Sequence, residues 1–345
     1  MNRHMLRIIT VFIAVCLLSG CKTEEIAKET KVEKTEDKLE IGMSFDSFVI
    51  ERWQRDRDVF VSTAKELGAE VNFQTANGEI EEQISQIEYF INKKVDVIVV
   101  IPIDAVKLEG VIAKAKKEGI PVMCYDRLVR NSDADLFISF DNEKVGTFMA
   151  TALFQTTGSD TDVVMICGPE TDYNVEMVRE GFLKVTDSYR GNVIGSYNCE
   201  AWRAEAAYEY VNEHIDLVSA ADAIMCGNDS LAGEVIRALS ERRLAGKIPV
   251  VGQDADLEAC QRIVEGTQLM TVYKPVEKMA KTAAEYAVKL AKHEEIGETD
   301  TFFDGTYEVP YIKLDPIRVT KDNMDEVVIN SGFHLKEDVY MNVID

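Results

Sequence analysis

Histidine is scarce in this chain, with four in 345 residues. None stands at ligand spacing from another histidine or a cysteine, so a zinc site is not expected. No loop matches Asp-x-Asp-x-Asp-Gly with a distal Glu, which removes the EF-hand kind of calcium site. The first strand-like segment ends in Gly42-Met43-Ser44-Phe45, without the Gly-x-Gly-x-x-Gly that cradles a dinucleotide, and there is no P-loop. Neither a metal nor a cofactor is therefore expected. Lysine and arginine number 38 against 61 aspartates and glutamates, a formal net charge of −23 spread through the chain. Nucleic acid needs clustered cations, so it is not an expected partner. Beyond residue 18 no apolar run reaches the length of a membrane-spanning helix.

Cysteine is present but lacks a pairing pattern. Of the seven, Cys16 and Cys21 fall in the amino-terminal segment, leaving Cys124, Cys167, Cys199, Cys226 and Cys260, an odd set with no Cys-x-x-Cys. Cys124, Cys167 and Cys226 sit in or at the ends of apolar runs, where a free thiol behaves as a small hydrophobe. Buried thiols are the expectation.

What the chain does have begins with a compartment signal. Arg3, His4 and Arg7 precede the apolar run 8–18, which has the length of a signal-peptide core and is too short to span a membrane. Residues 1–20 thus read as an export signal. It closes on Leu18-Ser19-Gly20-Cys21, which resembles a bacterial lipobox and implies a lipid on Cys21; an ordinary signal with an incidental cysteine is the alternative. Residues 21–38 are mostly Lys, Glu and Thr with almost nothing to bury, a disordered tether. The mature protein is expected outside the cytoplasm, anchored to the membrane and not crossing it.

The body carries an internal repeat. Gly119-Ile120-Pro121-Val122-Met123-Cys124-Tyr125-Asp126 is echoed by Gly246-Lys247-Ile248-Pro249-Val250-Val251-Gly252-Gln253-Asp254, with the aspartate five residues after the proline each time. Matching apolar runs precede both, Val95-Asp96-Val97-Ile98-Val99-Val100 and Ala221-Asp222-Ala223-Ile224-Met225. Such runs, alternating with helical patterns, read as buried parallel strands. Expected strands cover 39–44, 70–74, 95–101 and 136–140 in the first half, with helices over 53–67 and 105–117 and a helical spacing of Ile80, Ile84, Ile87 and Ile91. The second half follows with strands over 163–167, 193–197, 221–226 and 250–253 and helices from about 174, 202 and 230. The fold class is α/β, two related lobes with parallel sheets, long enough for two cores. Polar groups just past the carboxyl ends of parallel strands line the ligand crevice, which sets Asp126 and Asp254 on opposite sides of a cleft suited to something small and polar.

Five motifs then point to a family. Glu51-Arg52-Trp53-Gln54-Arg55-Asp56-Arg57, Tyr125-Asp126-Arg127, Ile138-Ser139-Phe140-Asp141-Asn142-Glu143-Lys144-Val145-Gly146, Gly252-Gln253-Asp254-Ala255-Asp256 and Met270-Thr271-Val272-Tyr273-Lys274 together resemble the xylose-binding members of the type I periplasmic sugar-binding proteins. The resemblance runs from residue 39 to about 335. It implies two Rossmann-like lobes joined by a three-crossing hinge that close on one monosaccharide, D-xylose or a related pentose or hexose, as a monomer that delivers it to the permease of an ABC importer. It also implies a division of the chain into 39–142 plus about 275–306 for the first lobe and 143–274 plus about 307–345 for the second.

Sugar chemistry assigns the candidates their work. Hydroxyls donate and accept at once and are met by planar side chains with fixed pairs of groups, while the C–H faces stack on aromatic rings. From the first lobe the candidates are Arg52, Trp53, Asp126 and Arg127. The resemblance carries Asn174, Trp202, Asn228, Asp254 and Lys274 over from the second lobe and the crossing. Blander roles stand beside these. The two tryptophans could be core, the two aspartates caps or turn residues, and Lys274 a surface lysine. Arg127 could merely pair with Asp126, and Asn228-Asp229-Ser230 is a good capping sequence in which Asn228 is favoured for ligand. Two other outputs remain: a paired-carboxylate glycoside hydrolase, for which nothing beyond the pair speaks, and a sugar-sensing co-receptor for a membrane histidine kinase or chemoreceptor.

Overall fold

The computed structural model describes residues 38–343. The export signal, Cys21 and the tether up to residue 37 lie outside the described residues. The first half alternates strand and helix in the order β1 (Leu39–Phe45), α1 (Arg52–Glu66), β2 (Ala69–Thr75), α2 (Ile80–Lys93), β3 (Val97–Val100), α3 (Glu109–Lys117), β4 (Val122–Tyr125), β5 (Leu136–Phe140). β3, β4 and β5 are buried along their whole length, which is why they read as apolar runs, broken only at Ser139 of β5. Helix α3 begins later than the expected 105. Asp104 Oδ1 accepts from the Val106 and Lys107 amides at 2.9 and 3.0 Å, and this local turn competes with the helix.

The second half repeats the alternation: α4 (Asn142–Thr157), β6 (Asp162–Cys167), α5 (Tyr173–Ser188), β7 (Asn192–Asn198), α6 (Ala204–Glu213), α7 (Ile215–Ala220), β8 (Ala223–Cys226), α8 (Asp229–Ser240), β9 (Val250–Val251) and α9 (Leu257–Glu265). It closes with β10 (Thr271–Tyr273), α10 (Val276–Ala291), β11 (Asp300–Phe303), β12 (Glu308–Leu314), β13 (Ile317–Val319) and α11 (Lys336–Val339).

The first sheet runs β11-β12-β5-β4-β3-β1-β2 and the second β7-β6-β8-β9. β2-β1-β3-β4 and β7-β6-β8-β9 are the same winding, 2-1-3-4 in chain order, with parallel pairs throughout. The sequence repeat is thus a repeat of topology. Met270, just ahead of β10, bridges to Val251 of β9, and β10 pairs antiparallel with β13. The chain crosses between lobes after β5, returns after β10, where α10 packs on α1, β1 and β3, and crosses again after β12. β12 pairs with β5 in the first sheet, so residues 308–314 belong with the first lobe, where the sequence placed everything after 307 in the second. The reason is the β11–β12 hairpin, which extends the sheet edge and stacks Tyr311 on Phe137 at 4.8 Å between ring centroids.

The second lobe depends on one close helix crossing. A Cβ built on Gly146 of α4 would lie 1.9 Å from Val178 O of α5, and one on Gly181 of α5 would lie 1.9 Å from Glu143 O. Only glycine lets the two backbones approach this closely. Gly146→Ala is expected to destabilise the protein by roughly 1–3 kcal/mol through overpacking while leaving the relative affinities for different ligands unchanged. Thermal melts paired with ligand titrations check this. The five cysteines of the body are all free and buried. Among the described residues no helix is long and apolar enough to cross a membrane.

Candidate functional site

Strand ends converge on one cavity between the lobes. It is lined from the first lobe by Ile50, Arg52, Trp53, Asp126 and Arg127, from the second by Asp172, Asn174, Trp202, Gln253 and Asp254 among others, and by Lys274 at the crossing. Each follows the carboxyl end of a strand, as the winding of both sheets dictates. Every lining residue is buried, so the jaws are shut around the space.

The two aspartates of the repeat occupy equivalent places. Asp126 follows β4 with φ of 64° and Asp254 follows β9 with φ of 103°, left-handed conformations uncommon outside glycine. These turn the chain sharply and aim both carboxylates into the cavity. Asp126 Oδ1 accepts from Arg52 Nη1 at 3.0 Å, and its other oxygen accepts from Asn174 Nδ2 across the cleft at 3.3 Å. Burial alone would push its carboxyl up, but the Arg52, Lys274 and Arg127 cations together hold it below the usual carboxylate range. Asp254 Oδ1 lies 3.2 Å from Lys274 Nζ. That contact lacks hydrogen-bond alignment, and the oxygen keeps no bonded partner.

Arg52 opens α1, a poor place for a cation against the helix dipole. It is held by Asp56 one turn on, at 2.8 Å, as well as by Asp126. Burial works against its charge, yet Asp126 and Asp56 raise its pKa well above the ordinary arginine value. Arg127 does not pair with Asp126. Its Nη1 bonds Asp46 of its own lobe and its Nε meets Asp172 of the other lobe at 2.6 Å. Burial opposes that charge as well, and Asp172 and Asp46 more than offset it, leaving the guanidinium pKa raised. Asp172 is in turn pushed up by burial, against the pull of Arg127.

The two indoles are set differently. Trp53 is 1% exposed, with the Arg52 guanidinium 4.5 Å from its ring centroid and Arg127 at 5.6 Å. Trp202 stands in a short 3-10 turn, Glu200–Trp202, where the sequence expected a helix to begin. Ala201 and Trp202 both adopt left-handed φ, 51° and 56°, and the regular helix starts at Ala204. The indole Nε1 donates to Asp172 Oδ2 at 3.2 Å, and a Cβ on Gly168 would lie 2.3 Å from the ring. The ring is braced on two sides.

Eight of the nine expected residues thus line the cavity. Asn228 is the ninth. Its Oδ1 accepts from Leu231 N at 2.9 Å and caps α8, and it is not part of the lining. Its neighbour Asp229 makes tertiary bonds in its place. Asp172 and Gln253 were missed by sequence reading. Asp172 looks like a helix cap and is one, accepting from Asn174 N at 3.0 Å; only its second oxygen, bonded to Arg127 and Trp202, shows the further role. Gln253 had a signal, standing beside Asp254 in the repeated segment. The apolar lining of Ile50, Val175, Val178 and Met225 carries no sequence mark distinct from core. Further contacts join the jaws outside the cavity. Ala105 N donates to Thr171 O at 2.9 Å, and Arg130 stacks over Tyr173 at 5.0 Å.

Among the described residues seven buried side-chain polar atoms lack a hydrogen-bond partner, and four of them lie on this cavity: Trp53 Nε1, Asn174 Oδ1, Gln253 Oε1 and Asp254 Oδ1. Buried polar atoms are rarely left unpaired, and this set offers a donor and three acceptors from both jaws. Two lobes of one winding, closed over a polar cavity with an indole from each, define a ligand-trapping receptor. Residues 41–295 match the family described as a periplasmic binding protein domain, and the chain belongs to that family. Its place is accordingly extracytoplasmic. The chain is 45% identical over 307 residues to the D-xylose-binding periplasmic protein of Haemophilus influenzae, covering 88% of this chain and 92% of that protein. It is 42% identical over 315 residues to the D-xylose-binding periplasmic protein of Escherichia coli K12, covering 90% and 95%. Among solved structures, an ABC transporter solute binding protein from Clostridium phytofermentans with bound β-D-glucose is similar with a TM-score of 0.77 at 25% identity, over 87% of this chain and 99% of that one.

Proposed function

We propose that this protein is the substrate receptor of an ABC sugar importer, that it traps D-xylose between its lobes, and that it does no chemistry on the sugar. The observation that carries this reading is the set of four unpartnered polar atoms flanked by two indoles. A pyranose supplies hydroxyls for the former and C–H faces for the latter. Xylose is the favoured sugar because the two relatives named for it match along most of both chains. Arg52, Trp53, Asp126, Arg127, Asn174, Trp202, Asp254 and Lys274 are the proposed contacts, joined by Asp172 and Gln253. The lobes are taken as 39–141 with 275–314, and 142–274 with 315–343. Contacts made by both jaws favour the closed form and shift an existing equilibrium toward it. A hydrolase needs a free carboxyl that holds its proton, whereas three cations hold Asp126 below the usual carboxylate range, and Asp172, the lining carboxyl that burial pushes up, has its second oxygen taken by Arg127 and Trp202.

Titration calorimetry of the body from residue 39 with xylose, ribose, arabinose, glucose and galactose tests the reading. Xylose is expected to bind tightest. No binding by any of the five would sink the sugar reading, and a stronger response to another would reassign the ligand.

The amino terminus completes the proposal. A lipid on Cys21 would hold the receptor at the membrane beside its permease. Cys21→Ala is expected to release the protein into the soluble fraction while sugar binding stays intact. Equal membrane association of variant and wild type, with no labelled fatty acid entering the wild type, would remove the anchor.

A further inference from the structure

Asp229 is 1% exposed, lies outside the cavity lining and is used by none of the contacts proposed for the sugar. Its surroundings form one system with the segment that bears Gln253 and Asp254. The Asp229 amide donates to Gln253 O at 2.9 Å. Its Oδ2 accepts from Asp256 N at 3.2 Å and from the Thr271 hydroxyl at 2.6 Å, and that hydroxyl accepts from Ala255 N at 3.2 Å. Its Oδ1 accepts from Gln268 Nε2 at 2.8 Å and lies where a Cβ on Gly252 would come within 2.2 Å. Segment 252–256 is therefore tied to Asp229 at four places: Gly252 packs on the carboxylate, Gln253 is held by the main-chain amide, Ala255 is held through Thr271 and Asp256 is bonded directly.

That segment needs support. Asp254 and Ala255 are successive left-handed residues, φ 103° and 58°, and non-glycine residues persist in such conformations only where their surroundings over-determine them. The same two turns aim Gln253 Oε1 and Asp254 Oδ1, both unpartnered, into the cavity. Burial pushes the Asp229 carboxyl up, against its bond to Thr271 and the Arg262 cation. A buried acid is costly to keep at a place where packing alone is required.

We propose that Asp229 is a positioning residue of the ligand site: its carboxylate fixes the strained 252–256 segment and so sets where Gln253 and Asp254 meet the ligand. This rests on the sugar-binding reading. The test is a double-mutant cycle on the purified body, using whichever sugar of the panel the wild type binds tightest. A wild type that binds none overturns the sugar reading itself. Asp229→Asn turns an amide NH2 toward donors and is expected to weaken binding about 10- to 100-fold, the loss of one or two charge-assisted bonds. In the Asp254→Asn background, which spares the left-handed φ of 103°, the same change is expected to cost less than about threefold, because the charged contact it aims has already been removed. Thr271→Val should behave like Asp229→Asn, and Thr271→Ser, which keeps the hydroxyl, should restore binding. These variants carry the cycle if Asp229→Asn does not fold. Wild-type affinity in Asp229→Asn, or a cost that adds in full to that of Asp254→Asn, overturns the proposal. So does failure of both Asp229→Asn and Thr271→Val to fold, which would make the network purely structural.

Discussion

Asp126→Asn is expected to weaken xylose binding by about 2–4 kcal/mol, roughly 30- to 1000-fold. Asparagine is the informative replacement because it tolerates the left-handed φ of 64° that alanine would strain, so the change reports on charge rather than backbone. The carboxylate is the shared partner of Arg52 and, across the cleft, of Asn174. Without it, Arg52 keeps only Asp56 and the first jaw loses its acceptor for a sugar hydroxyl. Asp254→Asn should cost a similar amount by leaving Lys274 without its counter-charge. Calorimetric titration alongside thermal melts checks both. Either variant binding as tightly as wild type would reduce that aspartate to a turn residue.

Trp202→Ala is expected to lose roughly 1–3 kcal/mol of xylose affinity and to narrow the preference for xylose over glucose. A ring braced by Asp172 and bedded on Gly168 cannot swing aside for the hydroxymethyl group a hexose adds. Competition titrations and melts of the unliganded protein separate this from a core role. A large fall in melting temperature with an unchanged xylose-to-glucose ratio would take Trp202 out of the site.

The strands and both aspartates were legible because buried parallel strands write themselves as apolar runs and because the chain writes the same strand-turn-aspartate twice. That the cleft takes something small and polar followed from residue types at strand ends, and that this is a sugar was what the resemblance of the five motifs implied. What stayed hidden was set by tertiary partners. Asn228 and Asp229 are equally good caps on paper, and only the positions of Thr271, Gln268 and the 252–256 segment decide which caps and which serves as a hub. Asp172 hid in the same way, since its cap is local and its tie to Arg127 spans the cleft. The edge hairpin β11–β12 was assigned to the wrong side at 308–314 because sheet-edge pairing with β5 leaves no trace in periodicity.

The bonds that join the jaws outside the cavity, Ala105 to Thr171 and Arg130 over Tyr173, carry a thermodynamic consequence. They stabilise the shut form whether or not a ligand is inside, and so help to set what fraction of empty receptors is already competent. Apparent affinity is the intrinsic affinity scaled by that fraction. The concentration at which the receptor half-fills can therefore be retuned at Arg130 or Tyr173, whose side chains make the second contact outside the cavity lining, without altering the rank order of ligands. Threshold and selectivity are separately adjustable in this molecule.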